Sequence, residues 1–479
     1  MTSARRLQSG GLVDRSRRIR FKFNGRDYFG HPGDTLASAL LAQGVRLFGR
    51  SFKYHRRRGV VGAGAEEPNA LVQVGEGAYS TPNLKATQVE LYDGLTARTV
   101  NGWPSLAFDI GAINNRLSRL LPAGFYYKTF MWPKSAWMRY EHHIRHAAGL
   151  GRTPSLPDPD QYDKRHAHCD VLVVGAGPTG LIAALGAARS GARVMMVDEQ
   201  SQLGGSLLSA PAVIGGQAGL DWAGEVEAEL RALPEVTILS RSTVTGYYDH
   251  NFLSVNERRT DHLGPAQSDT PGSRERLWRI RAKQVVLATG AIERPLVFDG
   301  NDTPGVMLAS AVSTYIHRYA VAPGRSGVVF TNNDSGYQAA IDMSNAGMEV
   351  RAVVDVRMTA GADVAKTVAD MGIPVYLGYV VPSVQSGLQG LKRIEMAKLS
   401  ADGRAILSHK GLVDCQVLAV SGGWSPVVHL HSQSGGRPCY RESQACFVPG
   451  TSVQDERSAG ACAGSFSLAA CLEEGADAG

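Results

Sequence analysis

Cysteine is scarce in this chain: there are six in 479 residues, and none before Cys169. The six are scattered, with no CxxC pair and no framework of the secreted kind, so reduced thiols in a cytoplasm are the default expectation. Long apolar runs are missing too. The longest are of strand length, so no membrane span is expected. The arginine-rich start, residues 1–20, lacks the apolar core of a secretory signal. Neither sign of charge dominates. A net charge of +6 is mildly basic, and with no recognition module it does not argue for nucleic acid. What is present is an ordinary globular balance, 43% hydrophobic and 20% charged, in a chain long enough for two or three domains.

The most informative stretch is residues 170–205. An apolar strand, Val171-Leu172-Val173-Val174, runs into the turn Gly175-Ala176-Gly177-Pro178-Thr179-Gly180. An alanine-rich helix follows and stops near Gly191. The next strand, Val194-Met195-Met196-Val197, ends at Asp198, and the pair Gly204-Gly205 comes shortly after. Gly175 allows the tight turn, Gly177 lets backbone approach a pyrophosphate, and Gly180 lets helix and strand pack closely. The helix N-terminus offers N–H groups and a positive dipole end to phosphates. Asp198 falls where a carboxylate accepts the hydroxyls of an adenosine ribose. Strand, turn, helix and acid together make this a dinucleotide-binding fingerprint.

Around it the chain reads as four regions. Residues 1–100 look like a β-grasp module similar to a small ferredoxin. Ile19-Arg20-Phe21-Lys22-Phe23 alternates, Asn24-Gly25 turns the hairpin, and Asp34-Thr35 caps a helix that ends at Gly44. Such modules hold a two-iron cluster on four cysteines in the next loop. Residues 59–76 contain none, so the cluster cannot be built there. Residues 101–165 are an aromatic-rich connection ending in a proline-rich linker. Residues 166–300 and 410–479 form the main nucleotide unit. In it, Ser242-Thr243-Val244-Thr245-Gly246 follows the strand Val236–Leu239, in a position that a dinucleotide-binding architecture places beside the adenine, and residues 256–276 read as a mobile excursion. Gln284-Val285-Val286-Leu287-Ala288-Thr289-Gly290 is a buried strand whose small end passes close to the cofactor. A last helix opens at Ala459-Gly460-Ala461-Cys462-Ala463-Gly464 and runs to about Leu472. Residues 301–409 repeat a βαβ pattern, but the turn Thr331-Asn332-Asn333-Asp334-Ser335-Gly336 replaces two expected glycines, which argues against a second nucleotide.

The order of these parts is similar to that of the two-dinucleotide-domain flavoproteins: an α/β, glutathione-reductase-like Rossmann architecture, here preceded by the cluster-free β-grasp module. Several runs then resemble one family. They are Gly49-Arg50-Ser51-Phe52-Lys53-Tyr54-His55-Arg56, Glu67-Pro68-Asn69-Ala70-Leu71-Val72, Trp103-Pro104-Ser105-Leu106-Ala107-Phe108-Asp109, residues 124–130, and Gly290-Ala291-Ile292-Glu293-Arg294-Pro295. They resemble the α subunits of heterotetrameric sarcosine oxidases, and the likeness covers essentially the whole chain.

The resemblance implies an oxidoreductase subunit, assembled with β, γ and δ subunits, that takes part in oxidising sarcosine to glycine with hydrogen peroxide. It implies that this chain binds NAD, while FAD and FMN belong to the β subunit or its interface, so no catalytic residue is assigned here. By the same resemblance Thr179 belongs to the pyrophosphate turn, and Asp198, Glu199 and Gln200 to the adenosine ribose. Ser206 follows Gly204 and Gly205, Val244 is at the adenine, and Thr289 and Gly290 lie by the cofactor. Ala461, Phe466 and Leu468 are near the nicotinamide end. The family continues into an aminomethyltransferase-like half that would handle tetrahydrofolate, which these residues do not include. An FAD-binding subunit of an opine or hydroxyproline dehydrogenase is the alternative, though that branch carries a cysteine cluster with no counterpart here. A structural subunit with a fixed nucleotide is another.

Three further features carry weaker chemistry. His142 and His146 are four apart on an expected helix, but no third metal ligand is evident. Cys439 and Cys446 match no ligand spacing. Lys53 with Arg56-Arg57-Arg58 reads as a solvated or subunit-facing surface rather than a polyanion site.

Overall fold

The alternation of Ile19–Phe23 is realised as a strand whose residues are buried and exposed in turn. Asn24 and Gly25, both at positive φ, turn the chain into its partner Arg26–Gly30. The helix Leu36–Ala42 is buried on every residue, which seven small or aliphatic side chains permit. Thr35 and Ser38 close a reciprocal capping box at its start, through bonds of 3.2 and 3.0 Å. The strands Thr96–Thr99, Leu71–Val74 and Thr81–Lys85 complete a five-stranded sheet, with Ile19–Phe23 and Thr96–Thr99 paired in parallel.

The computed structural model describes residues 4–121, 124, 132–265 and 272–479. Phe125 to Phe130 of the aromatic run therefore lie outside the described residues. The chain divides into two units, Met1–Pro159 with Pro295–Gly423, and Asp160–Arg294 with Trp424–Gly479.

In the first unit the β-grasp module shares one hydrophobic cluster with the later segment. Phe21, Leu40 and Phe48 belong to the same buried set as Tyr315, Tyr319, Val329 and Tyr337. Arg6 grips both sides, donating to Asp34 at 2.6 and 3.0 Å and to the Tyr319 carbonyl at 2.6 Å. The later segment is a five-stranded parallel sheet in the order Val306–Leu308, Val417–Ser421, Ser326–Thr331, Glu349–Asp355, Val375–Leu377. The strand Val417–Ser421 was expected with the main nucleotide unit. It lies instead between two parallel strands of this sheet, because a short run buried on both faces carries no mark of which sheet it joins. A four-stranded antiparallel sheet, built on Gly390–Leu399, follows.

The second unit is a seven-stranded sheet. Its main path runs Val236–Leu239, Val194–Val197, Tyr162–Val174, Glu275–Leu287, Phe252–Arg258, Ser242–Tyr248, with Glu456–Ser458 beside Glu275–Leu287. The first strand begins well before the apolar run that announces it. Tyr162 to Ala167 continue it, paired in register with Glu275 to Ile280. Two strands likewise reach into the expected excursion at 256–276 from either side. Residues 266–271, its middle, lie outside the described residues.

The helix Pro178–Arg189 packs against this sheet and ends at Gly191, with φ 86°. The last helix departs from expectation. Gly460–Ala463 forms only a 3-10 turn, stopped by Gly464 in the left-handed region, and the helix proper is Leu468–Ala478, capped by Ser467. No helix among the described residues is long and apolar enough to cross a membrane.

Candidate functional site

The turn after Tyr162–Val174 is held by contacts that only glycine allows. Gly175 has φ 101°, and a Cβ there would lie 2.3 Å from the Ala288 carbonyl oxygen. A Cβ on Gly180 would lie 1.8 Å from the carbonyl oxygen of Gly175. Gly177 differs, since its Cβ would meet nothing closer than the Gly205 Cα at 3.8 Å. Space is thus kept in front of the helix N-terminus, where the first-turn N–H groups have no intrahelical acceptor. The residues present fit a pyrophosphate.

Asp198 shapes the same turn. Its carboxylate accepts the Ala176 N–H at 2.7 Å and the Gln200 N–H at 2.8 Å. The Asp198 carbonyl accepts the Ser242 N–H at 2.7 Å, which brings the start of Ser242–Tyr248 alongside. Val244 on that strand packs against the cluster containing Val197 and Leu239. The Glu199 carbonyl accepts from Arg258 Nη2 at 3.1 Å, and the Gln200 carbonyl accepts the Arg241 N–H at 2.9 Å. Gly204, Gly205 and Ser206 lead into the 3-10 turn Gly205–Leu208. The Gly204 N–H donates to the Ala176 carbonyl at 2.8 Å.

Thr289 and Gly290 follow Glu275–Leu287 at the same end of the sheet. The Ala288 N–H donates to the Val174 carbonyl at 2.8 Å. Thr289 Oγ1 donates to the Val427 carbonyl at 2.9 Å and lies 3.1 Å from Cys462 Sγ. Burial pushes the Cys462 thiol above its ordinary pKa. Gly290, with φ 74°, has open space where its Cβ would be. Ala461 sits in the 3-10 turn whose Gly460 packs on Thr179, Phe466 is exposed, and Leu468 is the first residue of the final helix.

One residue of this end carries no sequence signal that local spacing could reveal. Glu474, on the final helix, accepts the Gly460 N–H at 2.7 Å and the Ser465 hydroxyl, so it braces the 3-10 turn. The Ala176 N–H is the backbone donor that fixes Asp198.

The degenerate second turn, in the other unit, is filled by its own side chains. Arg357 Nη2 bridges Asp355 and Asp334 at 2.7 Å each, and Asn333 Nδ2 donates to Ser421 Oγ at 2.9 Å. Elsewhere in that unit, the His142 and His146 rings meet edge-on at 4.4 Å, and Arg152 Nε donates to His146 at 3.3 Å. Among the described residues no three His, Cys, Asp or Glu side chains converge as a metal site. Arg56 and Arg58 pair with Asp302, and Arg57 donates to the carbonyls of Gly387 and Leu388.

Residues 169–444 match the family model described as pyridine nucleotide-disulphide oxidoreductase. The chain belongs to the pyridine nucleotide-disulphide oxidoreductase family. Residues 16–102 match a second model, described as a 2Fe-2S iron-sulfur cluster binding domain. The chain is 50% identical over 478 residues to sarcosine oxidase subunit alpha of Rhizobium meliloti strain 1021, covering 99% of this chain and 46% of that one. It is 39% identical over 474 residues to the protein of that name from Corynebacterium sp. strain U-96, covering 98% and 44%. The chain spans about half the length of the curated relatives it matches. Among solved structures it is similar in fold to L-proline dehydrogenase from P. horikoshii, with TM-score 0.63 and 17% identity over 99% of this chain and 74% of that one. The motif-based resemblance to sarcosine oxidase α subunits and the two-part fold class are borne out by these matches.

Proposed function

We propose that this chain is the nucleotide-binding part of a sarcosine oxidase α subunit, and that its nucleotide is NAD. The observation that carries the reading is the Gly175–Gly180 turn, closed by Asp198 and left open only at Gly177. In this reading Gly175, Gly177, Thr179 and Gly180 wrap the pyrophosphate. Asp198, Glu199 and Gln200 face the adenosine ribose, with Gly204, Gly205 and Ser206 on the near side. Val244 marks the adenine, Thr289 and Gly290 the passage along the sheet end, and Ala461, Phe466 and Leu468 the nicotinamide end. FAD and FMN, on the β subunit or its interface, supply the hydride-accepting chemistry that turns sarcosine into glycine with hydrogen peroxide. This chain holds the nucleotide and the fold around it, in a cytoplasmic assembly with β, γ and δ subunits. Tetrahydrofolate belongs to the portion of the relatives that this chain does not span.

A second reading is that the nucleotide is a fixed structural ligand that never turns over. The side-chain-filled second turn favours it, because those side chains occupy the space that the pyrophosphate of a second nucleotide would need there. Denaturing the purified chain and separating the released nucleotide by chromatography tests the main proposal, with NAD expected at about one per chain. FAD instead would transfer the chain to the opine or hydroxyproline dehydrogenase branch, and no nucleotide would sink the cofactor assignment. Bleaching of the NAD spectrum during sarcosine turnover by the assembled complex would eliminate the structural-ligand reading.

A further inference from the structure

The module at residues 16–102 matches a cluster-binding class, yet its residues do not fit a cluster. The ligands in that class are cysteine thiolates, and no cysteine precedes Cys169. What such a loop offers a cluster, besides thiolates, is a concavity of backbone N–H groups around an anion. That concavity is present here, and the chain's own carboxylates fill it. Glu67 is fully buried. One of its oxygens accepts the N–H groups of Val61 and Gly62 at 2.6 and 2.8 Å. The other accepts those of Asn69 and Ala70 at 2.6 and 3.0 Å. The neighbouring Glu66 accepts the N–H groups of Ala63 and Gly64 at 2.6 and 3.0 Å. Gly62 and Gly64 make this wrapping possible, since a Cβ at either would press on the Glu66 carboxylate, at 2.4 and 2.8 Å.

The outward-facing groups of the loop are tied down as well. Thr87 Oγ1 donates to the Gly64 carbonyl at 2.7 Å, Tyr315 OH to the Gly62 carbonyl at 3.1 Å, and the Leu308 N–H to the Val61 carbonyl at 2.8 Å. Lys85 Nζ donates to the Ala65 carbonyl.

We propose that the Glu67 carboxylate takes the place of the iron–sulfur cluster as the anion around which this loop folds, so the module is built to be complete without iron. The chemistry is specific to a carboxylate. Two oxygens without protons accept four N–H groups. An amide of the same size accepts on one side only and turns its NH2 toward two donors on the other. Burial pushes the Glu67 pKa above the ordinary carboxylate value, and the four N–H bonds oppose that shift.

Three measurements on the full chain test this. In the iron-free wild-type protein, the amides of Val61, Gly62, Asn69 and Ala70 should exchange as slowly as those of the β-grasp strands. Exchange at the rate of an unstructured loop would overturn the proposal. Anaerobic incubation with ferrous iron and sulfide, followed by desalting, should leave no bound iron and no visible absorption. Retention of about two irons per chain, the content of such a cluster, would overturn it. Glu67→Gln should accelerate exchange across residues 61–70 by roughly ten- to a hundredfold, because two donors lose their acceptor. Exchange unchanged from wild type would overturn the proposal. An unfolded Glu67→Gln chain beside a folded Glu66→Gln chain would support it, the amide being the same size as the acid.

Discussion

A methyl group added at Gly180 would sit 1.8 Å from the carbonyl oxygen of Gly175, while one added at Gly177 would find its nearest neighbour at 3.8 Å. The two glycines therefore fail differently. Gly180→Ala forces the strand-to-helix turn apart and should cost about 3 kcal/mol in denaturant unfolding. Gly177 has φ −74°, a conformation alanine adopts freely. Gly177→Ala should thus leave the stability of the nucleotide-stripped chain within about 0.5 kcal/mol of wild type. It should nevertheless abolish retention of nucleotide through gel filtration, because the new methyl projects into the phosphate space. Equal stability loss in both variants would show that Gly177 is packed rather than kept open. At this scale the turn was legible because its glycines and Asp198 fall within one short strand–turn–helix–strand segment at the spacing of a dinucleotide fingerprint. Glu474 and Glu67 were not, since each acts on backbone that no repeat or spacing singles out.

The final helix meets the helix Pro178–Arg189 through a glycine. A Cβ on Gly475 would lie 2.5 Å from the Thr179 carbonyl oxygen and 2.5 Å from Ile182 Cγ2. Gly475→Ala should push the two helices apart and lower stability by about 1–3 kcal/mol, read as a drop in melting temperature. A wild-type melting temperature would mean that the helices are not in this close contact. Elements with a strong pattern were read correctly from sequence: the hairpin from Ile19–Phe23, the capped helix Leu36–Ala42, and the strand–turn–helix at Gly175. The missed lengths have physical causes. Tyr162 to His168 is charged and aromatic, so its strand is dictated by pairing with Glu275–Leu287 rather than by its own alternation. The final helix began late because Gly464 takes a left-handed conformation that ends the preceding turn.

At the scale of the molecule, the N-terminal module does not own its core. Phe21, Phe23, Leu40 and Phe48 share one buried cluster with Tyr315, Tyr319, Val329 and Tyr337. A fragment of residues 1–159 should therefore bind an apolar dye and unfold without a cooperative transition, and adding residues 295–423 in trans should restore one. A cooperative melt of the fragment alone would contradict this. The assignment of the β-grasp module to the same unit as Val417–Ser421 depends on contacts between distant segments. Neither the apolar faces nor the charges of those segments name their partners in advance.

The interrupted course of the chain also sets a schedule for its synthesis. Residues up to Pro159 leave the ribosome well before the rest of their unit, which closes only with Gly423, roughly 260 residues later. At ~5–20 residues per second, that is about 13–50 s during which a finished-looking N-terminal module shows its apolar face to the cell. A holding chaperone has that long to act, and a rare codon anywhere in the intervening nucleotide-binding segment lengthens the exposure of a module it does not encode.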